Sequence, residues 1–209
     1  MPILIFDLDG TLIDSAPSIL ASLAKVLDEA GVTPCVPMDS NLIGPPLQET
    51  LSKLTGTQNP EILRSYVEAF KRYYDEGGYK ETLPYSGIVE MLSKLRARGF
   101  PMHLATNKRL APTLLIIDFL GWNDFFSSIY ALDRYQPRLS DKGELLQRLL
   151  MEQRIRADEA LYIGDKSEDG IAAERNALAF LGVKWGYGDF ADGGKWLAVN
   201  SPRSLLEWL

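Results

Sequence analysis

The sequence predicts an α/β fold: a mostly parallel sheet with helices on both faces, interrupted near its start by an all-helical insertion. Three observations carry this. The chain opens on a short apolar run, Ile3-Leu4-Ile5-Phe6, that ends at once in Asp7. No strand candidate follows between residues 15 and 80. After Pro84, strand-like and helix-like segments alternate to the end, the pattern of repeated βα units with right-handed connections.

The first run is β-branched and aromatic without polar alternation, as in a strand buried on both faces. Ser15-Ala16-Pro17 is a helix-start signal, and Ile19, Leu20, Leu23, Leu27 and Ala30 follow at helical spacing up to Gly31. Residues 32–46 hold four prolines and no period, which predicts a loop. Leu47, Leu51 and Leu54 mark a second helix. Ile62, Leu63, Tyr66, Val67, Phe70 and Tyr74 mark a third, closed by Gly77-Gly78. The aromatic stripe Tyr66, Phe70, Tyr73 and Tyr74 is expected to form the core of this insertion. Beyond Pro84, a helix through Ile88 and Leu95 precedes a strand over 100–105. A helix over 111–120 and a strand over 127–132 follow, then a helix through Leu145 and Leu150 and a strand over 160–163. A helix over 169–176, a strand over 178–183, a short strand over 197–199 and an amphipathic helix over 202–209 complete the chain. The division predicted is an α/β core of residues 1–14 and 85–209, with 15–84 as the helical insertion.

Composition narrows the partners. The 209 residues are 46% hydrophobic and 24% charged, with 22 basic against 28 acidic side chains and a net charge of -6. That balance excludes general affinity for nucleic acid or anionic membranes, which needs clustered Lys and Arg. It leaves small substrates open. The single cysteine, Cys35, has no partner for an intramolecular disulfide and suits a reducing compartment. No run approaches the ~20 apolar residues of a membrane span, and Ile3–Phe6 is too short for a secretory signal. A cytoplasmic protein is the expectation. Oligomeric state is not legible.

Polar residues collect directly after the buried strands, at the edge where doubly wound sheets bind ligands. They are Asp7-Leu8-Asp9-Gly10-Thr11, then Thr106-Asn107-Lys108, then Gly164-Asp165 through Asp169, with Lys142 opening the helix before the last of these strands. Asp7 and Asp9 are two apart and project together from extended backbone. Asp165 and Asp169 are four apart and share one face of a helical turn. Four converging carboxylates repel unless a hard cation joins them, and an all-oxygen site suits Mg2+. Gly10 permits a sharp turn, while Thr106 and Lys142 add a hydroxyl donor and a compact positive charge suited to phosphate oxygens. Each piece alone has a bland explanation, as a cap, a turn or a solvated lysine. Their joint order along one alternating chain does not, and together they describe phosphoryl transfer to a carboxylate nucleophile.

With these motifs the sequence resembles the haloacid dehalogenase superfamily, and within it the phosphoglycolate-phosphatase-like branch with a helical cap after the first strand. The DxDGT motif stands as Asp7 to Thr11, the Ser/Thr motif as Thr106-Asn107, the lysine as Lys142 and GDxxxD as Gly164 to Asp169. The stretch Gly182 to Gly188 also looks like that branch. The resemblance implies a Rossmann-like parallel core with a helical cap, and a magnesium-dependent phosphatase acting on a small, phosphoglycolate-like phosphomonoester. It implies Asp7 as nucleophile, Asp9 as acid and base, and Mg2+ held by Asp7, the Asp9 carbonyl, Asp165 and Asp169. Thr106, Asn107 and Lys142 are implied to hold the phosphoryl group, and Gly44 in the loop Asn41 to Pro46 to meet the substrate. Two other functions share the fold, a phosphosugar mutase and a catalytically silent regulatory module. Thr11 stands where mutases usually carry valine, and none of the family's catalytic residues is missing.

The chain departs from the family pattern at three places. Lys166 stands where a small hydroxyl residue is usual; it either weakens metal binding or points to solvent, and the second is the expectation. Gly143 stands where proline is common, and Asn176-Ala177 replaces the usual Ala-Gly. His103, inside an apolar run, is expected to be structural.

Overall fold

In a computed structural model, which describes residues 1–188, 190 and 194–209, strand β1 (Ile3–Phe6) leads through a tight turn to a two-residue strand β2 (Ile13–Asp14). Helices α1 (Ala16–Ala30), α2 (Leu47–Thr55) and α3 (Pro60–Glu76) follow, and β3 (Leu83–Pro84) returns antiparallel to β2. The rest alternates: α4 (Ile88–Ala97), β4 (Met102–Thr106), α5 (Leu110–Phe119), β5 (Ser128–Ala131), α6 (Lys142–Gln153), β6 (Ala160–Gly164), α7 (Ser167–Arg175), β7 (Ala179–Val183), β8 (Ala198–Val199) and α8 (Pro202–Trp208). The order of the parallel sheet is β5-β4-β1-β6-β7-β8. The predicted α/β class and the order of its main elements agree with this. Between residues 32 and 46 the structure adds a short 3-10 turn, Ser40–Leu42, inside the predicted loop.

Side-chain alternation along β1 divides the core. Leu4 and Phe6 pack on one face with residues of α4, α5 and α8, while Ile5 packs on the other with residues of α6 and α7. Both faces are covered, which is why the strand reads as an unbroken apolar run. The helices α1, α2 and α3 build a third, separate core from Leu23, Val26, Leu51, Leu54, Leu63, Phe70 and Tyr74. Phe70 and Tyr74 are buried there and stack with ring centroids 5.3 Å apart, while Tyr66 and Tyr73 pack at its edge.

The sheet places β1 between β4 and β6, so the chain departs from it in opposite directions. A crevice opens at such a switch point, beyond the carboxyl ends of the strands. Asp7, Thr106 and Asp165 stand at that edge. His103 sits within β4, buried, with Nδ1 2.7 Å from the Ser128 hydroxyl of β5, a structural place as expected.

The passage from core to helical layer depends on Tyr187. Ser15 is the N-cap of α1 but supplies no side-chain cap, because its hydroxyl is committed to Asp9 at 2.6 Å. The backbone N–H groups of Ser15 and Ala16 donate instead to the Tyr187 hydroxyl, at 2.7 and 2.9 Å, and that hydroxyl donates to Asp14 at 2.9 Å. A loop after β7 thus caps α1, satisfying the Ser15 N–H and sharing the Ala16 N–H with the Asp14 carboxylate, which lies 3.3 Å from it. Tyr187→Phe removes these partners without removing the ring. Urea unfolding is predicted to show a loss of about 1–3 kcal/mol, with faster amide exchange at Ser15 and Ala16; unchanged stability would contradict this capping role.

Candidate active site

The turn after β1 brings the first two carboxylates to the crevice. The Asp7 N–H donates to the Ile163 carbonyl at 2.9 Å, fixing the strand end against β6. The backbone then folds over itself, with Leu12 N–H donating to Leu8 and Gly10 N–H to Ile13, both at 2.9 Å. Gly10 has φ +86, and a Cβ there would lie 2.2 Å from Asp165 Oδ2. Only glycine meets both the left-handed backbone and the close approach of a carboxylate.

Asp7, Asp165 and Asp169 are buried, with one carboxylate oxygen each within 4.8 Å of the others. Asp165 is held by the Tyr187 N–H at 2.8 Å and the Thr11 hydroxyl at 3.3 Å. Asp169 accepts from Lys142 Nζ at 2.6 Å, from the Tyr162 hydroxyl at 3.2 Å and from the Lys166 N–H at 3.1 Å. Lys142 Nζ also lies 3.0 Å from Asp7 Oδ1. That contact is an ion pair, and Asp7 Oδ1 accepts no aligned hydrogen bond among the described residues. Burial raises the Asp7 carboxyl to about 8; Lys142 opposes this, and the neighbouring Asp169 and Asp165 add to it. Asp165 is raised to about 6, again by burial first and then by Asp169. For Lys142, burial works against the charge, but Asp169 and Asp7 outweigh it and keep the ammonium protonated well above the ordinary lysine range.

Asp9 is handled separately. Its carboxylate lies outside the cluster of three and accepts from the Ser15 hydroxyl and from Lys108 Nζ at 3.1 Å. Lys108 is buried and lies 4.6 Å from the centroid of the Tyr74 ring. Burial opposes its charge, yet Asp9 pushes it up to about 12. The sequence reading assigned Lys108 no role. Its position directly after Thr106-Asn107 at a strand end was the one available signal. Lys142, the least distinctive of the motif residues, opens α6 and reaches two of the carboxylates. Asn176 braces that helix start by donating to the Gly143 carbonyl at 2.9 Å.

Thr106 is buried at the end of β4, and its hydroxyl accepts from the Lys108 N–H at 3.2 Å. Asn107 Nδ2 donates to the Gly44 carbonyl at 3.1 Å, so a predicted core residue and a predicted residue of the helical layer meet directly. Gly44 has φ +110, and Lys166 Nζ would lie 3.2 Å from a Cβ placed there. The expectation that Lys166 points to solvent is corrected: its ammonium donates to the Ile43 carbonyl. Its stem runs along Gly44, a packing path open because no side chain stands there. The pair Arg109–Asp75, bidentate at 2.8 and 2.6 Å, ties α3 to the core at another edge.

Two adjoining cavities meet at Asp9, Gly44, Pro45, Pro46 and Asn107. One, about 370 Å³, contains Asp7, Lys142, Asp165 and Asp169. The other, about 290 Å³, lies between the helical layer and the core. At the first, four buried carboxylates outnumber the ammonium groups close to them, Lys142 between Asp7 and Asp169 and Lys108 at Asp9 from the adjoining cavity. Burial makes this excess of negative charge costly. Three clustered carboxylate oxygens, one of them without an aligned hydrogen bond, fit a hard divalent cation that prefers oxygen ligands.

The sequence profile of haloacid dehalogenase-like hydrolases matches residues 4–183. A 5'-nucleotidase of Pseudomonas aeruginosa is 30% identical over 188 residues, spanning 90% of this chain and 84% of the relative. A phosphoglycolate phosphatase of Aquifex aeolicus is 32% identical over 190 residues, spanning 90% and 86%. Among solved structures, a predicted phosphatase from Clostridium acetobutylicum superposes with a TM-score of 0.86 at 27% identity, covering 99% of this chain and 98% of that one. No helix among the described residues is long and apolar enough to cross a membrane.

The raised Asp7 carboxyl has a sign that can be measured. A carboxyl raised from 3.8 to about 8 binds more protons folded than unfolded between those limits, so its ionisation costs stability as pH climbs through that window. Metal-free Asp7→Asn is therefore predicted to melt above wild type, by a margin that widens from pH 5 to pH 8. At about 2–4 °C per kcal/mol for a chain of this size the difference is several degrees. Saturating Mg2+ is predicted to stabilise wild type more at pH 8 than at pH 5. A margin that is flat or shrinks with pH would contradict the burial of a carboxylate that Lys142 compensates only in part.

Proposed function

Because the chain belongs to the haloacid dehalogenase-like hydrolases and is a phosphohydrolase, we propose that it is a magnesium-dependent phosphatase of small phosphomonoesters working through an aspartyl-phosphate on Asp7. The observation that carries this is the separation of two carboxylate environments at one strand end. Asp7 stands in the cluster with Asp165 and Asp169 beside Lys142, while Asp9, two residues on, is held apart by Ser15 and Lys108. A nucleophile and a proton-transfer group need such different surroundings.

Asp7, Asp165 and Asp169 would hold the ion with the Asp9 backbone carbonyl, and bound Mg2+ supplies charge that offsets the carboxylates and the phosphoryl oxygens. The Asp7 carboxylate oxygen attacks phosphorus, and the ester P–O bond breaks as that bond forms. Asp9 gives a proton to the departing alkoxide. It then takes a proton from water, whose oxygen attacks phosphorus; the Asp7–O–P bond breaks and inorganic phosphate leaves. Asp9 enters the first half carrying the proton it gives up, leaves it as the carboxylate that the bonds from Lys108 and Ser15 hold, and regains the proton from water in the second half. Lys142, 3.0 Å from Asp7 Oδ1, would offset charge on Asp7 and on the phosphoryl group. In this reading the Thr106 hydroxyl and the Asn107 amide donate to phosphate oxygens, and residues 15–84 act as the cap that covers them.

The substrate is a phosphorylated small molecule. Phosphoglycolate and nucleoside monophosphates, the compounds for which two of the relatives are named, bracket the size of the leaving group. A single cysteine suits a reducing compartment such as the cytoplasm. Phosphate release from a panel of phosphoglycolate, nucleotides, sugar phosphates and pyrophosphate tests this reading. Turnover with Mg2+ is predicted to fall by on the order of 10³ or more with chelator and in Asp7→Asn. Turnover that survives Asp7→Asn would contradict the assigned nucleophile.

A further inference from the structure

The cavity of about 290 Å³ between the helical layer and the core adjoins the carboxylate site at Asp9, on the side where a departing alkoxide would leave. Its walls are unequal. The core contributes Asp9, Asn107, Lys108, Arg109 and Asp133, of which Arg109 is paired with Asp75 and Asp133 accepts from the Leu110 N–H. The helical layer contributes Ile19, Leu23, Leu42, Val67 and Phe70. The polar groups on the cap side are few. The Thr50 hydroxyl is spent on the Leu42 carbonyl at 3.3 Å, and Lys71 is paired with Glu68 at 2.7 Å. Among the described residues, Gln48 and Arg138, both exposed, line the cavity without a hydrogen bond or ion pair, and the Asn107 Oδ1 on the core side is buried without a partner.

These features set what can sit there. Glycolate has five non-hydrogen atoms and would leave most of the space to water lying against apolar walls. A polyol would fill it but lose partners for its hydroxyl groups, since buried hydroxyls without hydrogen bonds are costly. An apolar or aromatic group fills the space against the helical layer and leaves Asn107, Gln48 and Arg138 to water or to a substituent on the ring.

We propose that the leaving group accepted by this chamber is an apolar or aromatic ring system, larger than glycolate and poorer in hydroxyl groups than a sugar. The inference rests on the phosphatase reading and narrows its substrate class. The ester oxygen lies at Asp9, the ring lies between α1 and α3, and Gln48 and Arg138 meet any polar substituent at the rim.

Substrates matched in leaving-group chemistry test it: 2-phenylethyl phosphate against ethyl phosphate, with 2-phosphoglycolate and glucose 6-phosphate alongside. The expected kcat/KM for 2-phenylethyl phosphate is at least tenfold above each of the others, or about 1.4 kcal/mol. Val67→Phe, at a partly exposed position, fills the chamber. Within that variant the ratio of 2-phenylethyl to ethyl phosphate is expected to fall at least tenfold. Ile19→Phe, on a different helix, is expected to act in the same direction. Binding of the same compounds to Asp7→Asn with Mg2+, measured by calorimetry, is expected to show the same order. Turnover without a ring preference overturns the inference and leaves the phosphatase reading intact. A ring preference in binding without turnover supports the inference and overturns the phosphatase reading. Ratios unmoved by both filling variants, or no binding of the ring compound, overturn the inference.

Discussion

Four buried carboxylates at the end of the central strand are the constraint on which the rest of this structure depends. Asp7, Asp9, Asp165 and Asp169 come from two segments that parallel pairing of β1 with β6 brings side by side. Left uncompensated, they would repel one another and take up protons. Lys142 answers Asp7 and Asp169, Lys108 answers Asp9, and the Thr11 hydroxyl and Tyr187 N–H answer Asp165. The charge left over is what gives the site its fit to a divalent cation.

The same groups couple the site to the helical layer. Ser15 gives its hydroxyl to Asp9, so α1 needs the Tyr187 hydroxyl as a cap in its place. Lys108 meets Asp9 of the core and the Tyr74 ring of α3 together. Asn107 and Lys166 hold successive carbonyls of the loop at Ile43 and Gly44. Residues of the carboxylate edge therefore set where the layer above them sits, and the cavity between the two is a consequence of that placement.

Much of this was legible in the sequence. Ile3 to Phe6 reads as a strand because both faces of β1 are covered, and the breaks at Gly31 and Gly77 fall where α1 and α3 stop. The strands β2 and β3 are two residues each, too short for any period to register. The meeting of Asp7, Asp165 and Asp169 was legible through spacing, since a strand end and a helical turn fix where they point. The expected convergence of the Asp9 carboxylate with them is corrected, because Ser15 and Lys108 hold it apart. The contacts of Lys108 and Lys166 were not. They join residues 99 and 123 positions apart, and a lysine after a motif looks the same whether it meets solvent, a carboxylate or a carbonyl. Lys166 was misread for that reason: Gly44, which opens the path for its stem, lies in a different layer.

The covalent role of Asp7 is tested most directly by trapping. Borohydride quenching during turnover with Mg2+ reduces an acyl phosphate to the corresponding alcohol, which peptide mass mapping locates. A nucleophilic Asp7 predicts the reduced side chain at position 7 in wild type and its absence from Asp7→Asn. Rapid phosphate release with no reduced product at position 7, or with one at another carboxylate, would contradict it.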